Sequence, residues 1–182
     1  GTPAQLDAGS SATRGPYNVI LLMVDSLRAD MPWAGYPRDI APRMQQFIKK
    51  RCVSYANAYS ISSYTSGSVA PALVGEYPSA MLRDGQFFQQ YPGESDVRVS
   101  ERVRKAGHRA LAGHAHGYFL PLFGMGRGFD DYRTLPAVDL ATVTSITSEP
   151  HTKLAIEQLS KPENTELPPG RRFFAYFHYL DP

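Results

Sequence analysis

Cysteine, charge and long apolar runs are all scarce in this chain of 182 residues, and each scarcity removes a class of protein. The lone cysteine, Cys52, excludes an internal disulfide and any multi-cysteine zinc site, and it leaves the redox compartment open. Lys and Arg number 19 against 17 Asp and Glu, a formal charge of +2 without a basic block, so the electrostatic footprint of a nucleic-acid binder is missing. The longest apolar run, Val19 to Val24, is far short of the ~20 residues that span a bilayer. The residues from Gly1 onward show neither the charged start nor the apolar stretch of a signal peptide, so any signal or membrane anchor is expected upstream, in a removed N-terminal segment. Gly and Pro, 15 of each, stay below the roughly one residue in four that marks low-complexity chains. The remainder is 42% hydrophobic. A chain of this length buries roughly 70% of its unfolded surface, which predicts one compact domain needing no disulfide or structural metal.

Residues 1–16, rich in Gly, Ser, Ala and Thr and without periodicity, read as a disordered tail or linker. Asn18 to Val24 is a continuous apolar run of strand length, the pattern of a strand covered on both faces, and it ends abruptly at Asp25. Pro42 in a first turn, then Met44, Phe47, Ile48 and Cys52 on one stripe, predict a helix from Ala41 to Arg51. Ser54 to Tyr59 reads as a short strand, Ser60 to Ser68 as a hydroxyl-rich turn, and Val69 to Val74 as a buried helix closed by Gly75. After a polar loop at 79–95, Ser95 is expected to cap a helix carrying Val99, Val103 and Ala106, and a strand follows from His108 to Gly113. A helix from Glu149 to Ser160, a loop from Lys161 to Gly170 and an aromatic strand from Phe173 to Tyr179 complete the pattern. Strands alternating with helices predict an α/β sandwich around a mainly parallel sheet.

In such sheets ligands collect beyond the carboxyl ends of strands. Asp25 stands at one such end, where a rigidly placed carboxylate suits a divalent cation; its ordinary alternative is a turn cap, with Arg28 and Asp30 as a surface pair. Thr65, in Tyr64-Thr65-Ser66-Gly67-Ser68, is placed at or near a helix N-terminus, where an anion such as phosphate or sulfate is favoured, or where it serves only as an N-cap. His178 lies in the last strand, as a ligand or as a packed residue. His114 and His116 share a face if their strand continues, which suits substrate oxyanion contact or metal binding. Gly124-Met-Gly126-Arg-Gly128 imitates a dinucleotide fingerprint, but no helix pattern follows, so a glycine-rich turn is expected.

Together Asn18 to Asp30 (NVILLMVDSLRAD), Asn57 to Ser60 (NAYS), Thr65 to Ser68 (TSGS), Gly75 to Pro78 (GEYP), Gly128 to Asp130 (GFD) and Phe174 to Pro182 (FAYFHYLDP) resemble the sulfatase branch of the alkaline phosphatase superfamily. The resemblance covers residues 17–182 and implies the N-terminal portion of a three-layer α/β/α catalytic domain. It implies that Asp25 is a metal-binding aspartate, that Thr65 stands at the nucleophile position and also meets the metal, and that Ser68, His114, His116 and His178 contact substrate. The implied metal is divalent: Zn, Mn, Mg or Ca. Relatives that resemble His178-Tyr-Leu-Asp-Pro182 continue with a histidine and a later Asp-His-Gly or Asp-Asn-Gly segment. This stretch alone is therefore expected to hold metal weakly, to be inactive, and to expose apolar sheet surface.

The chain departs from the main sulfatase pattern, Cys-x-Pro-Ser-Arg, in having Thr65, Gly67 and Val69 where that pattern has the formylglycine precursor, proline and arginine. Ser26 replaces the second aspartate of an Asp-Asp pair. No formylglycine is expected at a threonine. The pattern instead is similar to phosphoesterase and phosphotransferase relatives, in which a metal-bound threonine attacks phosphorus. The resemblance implies an extracytoplasmic enzyme, periplasmic or cell-surface, with a membrane-anchored parent. Its reaction would be hydrolysis or transfer of phosphate or sulfate esters, on a small-molecule, lipid or glycan substrate. The alternative is a catalytically degenerate domain that binds a lipid or envelope partner. A flavodoxin-like ligand domain is opposed by the missing phosphate-loop glycines.

Overall fold

The computed structural model describes residues 17–55, 57–81, 97–121, 124–135 and 147–180. The tail at 1–16, the cap at Ser95, most of the loop 79–95 and the closing Asp181 and Pro182 lie outside the described residues. The elements are β1 (Val19–Val24), α1 (Pro42–Arg51), α2 (Thr65–Val74), α3 (Val99–Lys105), β2 (Arg109–His114), β3 (Asp131–Thr134), α4 (Ser148–Ser160), α5 (Pro162–Thr165) and β4 (Phe173–Tyr179). The strands form one sheet in the order β1-β4-β2-β3, and every pair is parallel. Parallel neighbours need long crossovers, which the intervening helices supply.

The period-two alternation of strand side chains sorts the residues into two faces. Leu21 and Met23 of β1, Phe174 and Tyr176 of β4 and Ala112 of β2 pack with Val69, Ala70 and Leu73 of α2 and with Val99 and Val103 of α3. On the reverse face Leu111, Ala175 and Phe177 pack with Ala155 and Leu159 of α4. The result is the expected α/β/α sandwich with a parallel centre.

Several local expectations need correction. The 54–59 segment forms no strand among its described residues. The helix expected at Val69 begins four residues earlier, at Thr65, and tolerates Pro71 in its interior. It ends as expected at Gly75, whose φ of 83° is left-handed and whose N–H donates to the Pro71 carbonyl at 2.7 Å. The strand β3 was not expected: Asp131-Tyr-Arg-Thr134 is short and polar, and its pairing with β2 from Leu111 to His114 holds it in the sheet. The short helix α5 interrupts the expected loop after Lys161. Finally, β1 is not covered on both faces. It lies at the edge of the described sheet with Val19, Ile20 and Leu22 about half exposed, whereas β4, between two neighbours, is the strand buried through its middle.

The glycine-rich segment is a turn, as expected. Gly128 has φ 85°, and a Cβ there would lie 2.7 Å from the Glu101 backbone nitrogen and 2.7 Å from Ser100 Oγ, so only glycine lets the turn close onto the start of α3. Ser100 Oγ donates to the Arg127 carbonyl at 2.8 Å, and Arg127 pairs with Glu101 at 3.0 Å.

Candidate active site

Three polar side chains occupy carboxyl ends of adjacent strands on the α2 face. In register, Met23 of β1 stands opposite His178 of β4, and His178 opposite His114 of β2. Asp25 has the parity of Leu21 and Met23, one step beyond the end of β1. Its N–H extends the ladder, donating to the Tyr179 carbonyl at 2.8 Å. Ser26 then turns the chain sharply at φ 52°, an uncommon conformation for a residue with a side chain.

Thr65 is the first residue of the ten-residue α2, so its hydroxyl sits at the positive end of the helix dipole. It does not cap the helix; that position belongs to Tyr64. The Thr65 hydroxyl instead donates to Asp25 Oδ2 at 2.7 Å, across 40 residues of sequence. Arg28 and Asp30 form the surface pair weighed above, at 2.7 Å.

His178 is fully buried and lies beside this pair, its Nε2 3.8 Å from Asp25 Oδ2. Neither ring nitrogen reaches a hydrogen-bond partner among the described residues. Burial pushes the His178 pKa down to about 4 against the pull of Asp25, so the ring is neutral at neutral pH. His116 is half-buried. Burial lowers its pKa too, opposed by the attraction of Asp25, which places it within electrostatic reach of the same carboxylate. His114 is separate: β2 ends there, and its ring packs against Phe119 and Tyr132 with Nε2 3.1 Å from Thr134 Oγ1. Burial drives its pKa down to about 3. The structure thus gathers Asp25, Thr65 and His178 and leaves His114 one strand away.

Ser68 belongs to a hydroxyl cluster. Its Oγ is 3.0 Å from Ser60 Oγ and donates to the Ser62 carbonyl at 2.9 Å, while Ser62 Oγ accepts the Tyr64 N–H at 3.1 Å. A Cβ on Gly67 would come 2.6 Å from Ser62 Oγ, so glycine at 67 lets the serine turn lie against α2. Ser60 and Ser62, which the sequence marks only as part of a hydroxyl-rich turn, join Ser68 here; the density of hydroxyl residues from Ser60 to Ser68 is the signal for the cluster. Asp25, Thr65, Ser68 and His178 line one open cleft of about 670 Å³.

A divalent cation fits the donor chemistry in part. Asp25 and Thr65 bring two side-chain oxygens within 2.7 Å of each other, the ligand type that hard and borderline cations take. Among the described residues no group of three or more His, Cys, Asp or Glu is arranged to hold a metal.

The sulfatase family model matches residues 17–182. No curated protein sequence matches the chain. Among solved structures, the chain is similar to the C-terminal periplasmic domain of EcEptC from Escherichia coli in its complex with zinc, with TM-score 0.64 and 17% identity over 92% of this chain and 44% of that one. A second structure of the same Escherichia coli domain gives TM-score 0.63 and 16% identity, covering 92% of this chain and 43% of the other. The chain therefore spans less than half the length of the solved domain it matches.

Proposed function

The chain belongs to the sulfatase family, and on that premise we propose that its cleft processes phosphate or sulfate esters in a metal-dependent hydrolase or transferase, with Thr65 as nucleophile. The observation that carries this reading is the 2.7 Å hydrogen bond from the Thr65 hydroxyl to Asp25, at a helix N-terminus and in an open cleft. A divalent cation bound by Asp25 and Thr65 supplies Lewis-acid chemistry, lowering the pKa of the hydroxyl and offsetting negative charge on the ester. Zinc, named in the structure of the Escherichia coli relative, leads the candidates of Zn, Mn, Mg and Ca.

The chain's own residues do the rest. Thr65 Oγ attacks phosphorus or sulfur in line, forming one O–P or O–S bond as the bond to the leaving oxygen breaks, and the leaving oxygen takes a proton from water in the open cleft and departs as an alcohol. The hydroxyl proton has a waiting acceptor in Asp25. The dipole of α2 favours the charge on the equatorial oxygens. His178, neutral and with no partner for its ring nitrogens, is suited to contact one of those oxygens; His116 and Ser68 stand beside it as further substrate contacts, and His114 supports them from the neighbouring strand. Water or an alcohol then releases the group from Thr65. Similarity to periplasmic domains supports an extracytoplasmic location, and the membrane-anchored parent implied by the family resemblance is part of the same proposal.

The test is turnover of aryl phosphate and aryl sulfate by the parent protein carrying Thr65→Ala or Thr65→Ser. Loss of activity in the alanine variant with partial retention in the serine variant is expected, with metal content lower in the alanine variant, which lacks one of the two ligand oxygens, than in the serine variant. Full activity in Thr65→Ala contradicts the assignment, and a parent protein that binds ester without turning it over favours the degenerate binding domain.

A further inference from the structure

The floor of the cleft is tied down from the opposite face of the sheet. Asp25 lies one residue past β1, and the rung that fixes its backbone is its N–H on the Tyr179 carbonyl at 2.8 Å. Ser26 then turns the chain at φ 52°. The Tyr179 carbonyl itself needs support. β2 pairs with β4 from Arg109 opposite Phe173 to His114 opposite His178, so at Tyr179 β4 has run past the end of β2 and keeps β1 as its strand neighbour among the described residues. A terminal strand residue paired on one side opens readily unless its side chain is held.

Helix α4 does the holding. The Tyr179 side chain packs on the α4 face with Ala175 and Phe177. The ring of the fully buried His151 lies against the Tyr179 ring, with centroids 4.3 Å apart, and stands edge-on to Phe177 at 6.2 Å. Thr152 Oγ1 is 2.7 Å from the Ser148 carbonyl and 3.2 Å from Tyr179 Oη. A threonine hydroxyl has one hydrogen, which the carbonyl takes, so the Tyr179 hydroxyl donates to Thr152. The close approach of α4 depends on Gly113, where a Cβ would lie 2.7 Å from Leu154 Cδ2 and 3.0 Å from Gln158 Oε1.

We propose that Tyr179, tied to Thr152 and backed by His151, is a positioning residue for the cleft: the clamp on its ring fixes the carbonyl that carries Asp25. With Asp25 it sets the 2.7 Å contact to Thr65 and the 3.8 Å approach to His178. The inference rests on the ester-processing reading and adds residues on the reverse face that act through the sheet. A small displacement of the carboxylate weakens both tasks proposed for it, taking the Thr65 proton and binding the cation.

The experiment compares the parent protein with Tyr179→Phe, Thr152→Val, the double variant and Thr152→Ser. It reads kcat and KM on the aryl ester turned over, zinc affinity by competition with a chelating dye, and melting temperature. Each single variant is expected to lower kcat and zinc affinity by about three- to tenfold, with KM within about twofold. The double variant should lose no more than either single, because the same hydrogen bond is removed in all three. Thr152→Ser keeps the acceptor and should restore wild-type values. Ser160→Ala removes a similar bond within α4, from Ser160 Oγ to the Ile156 carbonyl at 2.7 Å, and should change neither kcat nor zinc affinity. Folded variants with wild-type kcat and zinc affinity, or losses that add in the double variant, overturn the positioning role and leave the ester site standing. Thr152→Val, at an exposed position, decides alone if Tyr179→Phe does not fold. A wild-type parent that turns over no ester overturns the ester-site reading and this inference with it.

Discussion

Asp25 and Thr65 meet through one hydrogen bond of 2.7 Å, and the roles proposed for them are separable by substitution. The Asp25 side chain is 22% exposed, so Asp25→Asn keeps the shape, removes the charge and exposes no new surface. Metal affinity should fall by roughly tenfold or more, measured by elemental analysis after dialysis against the same buffer; equal metal content in the variant would remove Asp25 from the coordination shell. The buried histidines give a second expectation. Burial, the largest cause, holds His114 at a pKa of about 3, below its ordinary 6.5; a hydrogen bond with the His116 backbone opposes it, and the charges of His178, His151 and His116 push it down further. Above pH 6.5 the ring is neutral in folded and unfolded chain alike and contributes no pH dependence. As pH falls from 6.5 toward 3 the unfolded chain takes up a proton that the folded chain does not, so stability declines across that window. Melting temperature should therefore drop on going from pH 7 to pH 5, with a shallower drop in His114→Gln; an identical slope in the variant would assign the effect to other groups.

At the scale of elements, the turn at Gly124–Gly128 and the start of α3 make one unit whose geometry admits a sharp test. Gly128→Ala adds a Cβ against backbone at φ 85° and should cost about 2 kcal/mol or more, whereas Gly35→Ala, at φ 112° with nothing within 4 Å, should cost only about 1 kcal/mol of backbone strain. Comparable losses in chemical denaturation would mean that the turn yields. The same scale shows what the sequence made legible. Continuous apolar or aromatic runs located β1 and β4, and Pro42 and Gly75 marked helix ends, because each signal is local. The Asp25, Thr65 and His178 positions came from strand ends and helix starts together with the family resemblance. The misses are non-local. Asp131–Thr134 is a strand only because β2 lies beside it, and β1 is half exposed because no helix among the described residues covers the face of Ile20 and Leu22, which its own apolar run does not reveal. Likewise, the contact of His114 with Thr134 depends on β2 continuing to His114, one residue beyond the strand end that the sequence marks at Gly113.

Across the whole molecule the two faces of the sheet are unequally covered. Helices α2 and α3 close the face that carries the site, while on β1 Ile20 and Leu22 stay 47% and 56% exposed, and Met44 and Phe47 on α1 add 48% and 57%. Exposed apolar surface of this kind drives association. The 182-residue chain is expected to self-associate with rising concentration in sedimentation velocity, and Ile20→Thr combined with Leu22→Thr, which keeps strand propensity, should reduce it; unchanged association would place the contact elsewhere. The central claim, that Thr65 carries the reacting group, is tested most directly by quenching the parent enzyme in acid during turnover of an aryl phosphate or aryl sulfate and sequencing its peptides by mass spectrometry. The account predicts a phosphoryl or sulfuryl group on Thr65, absent in the unreacted protein. Steady turnover that leaves Thr65 unmodified and labels another side chain would contradict it.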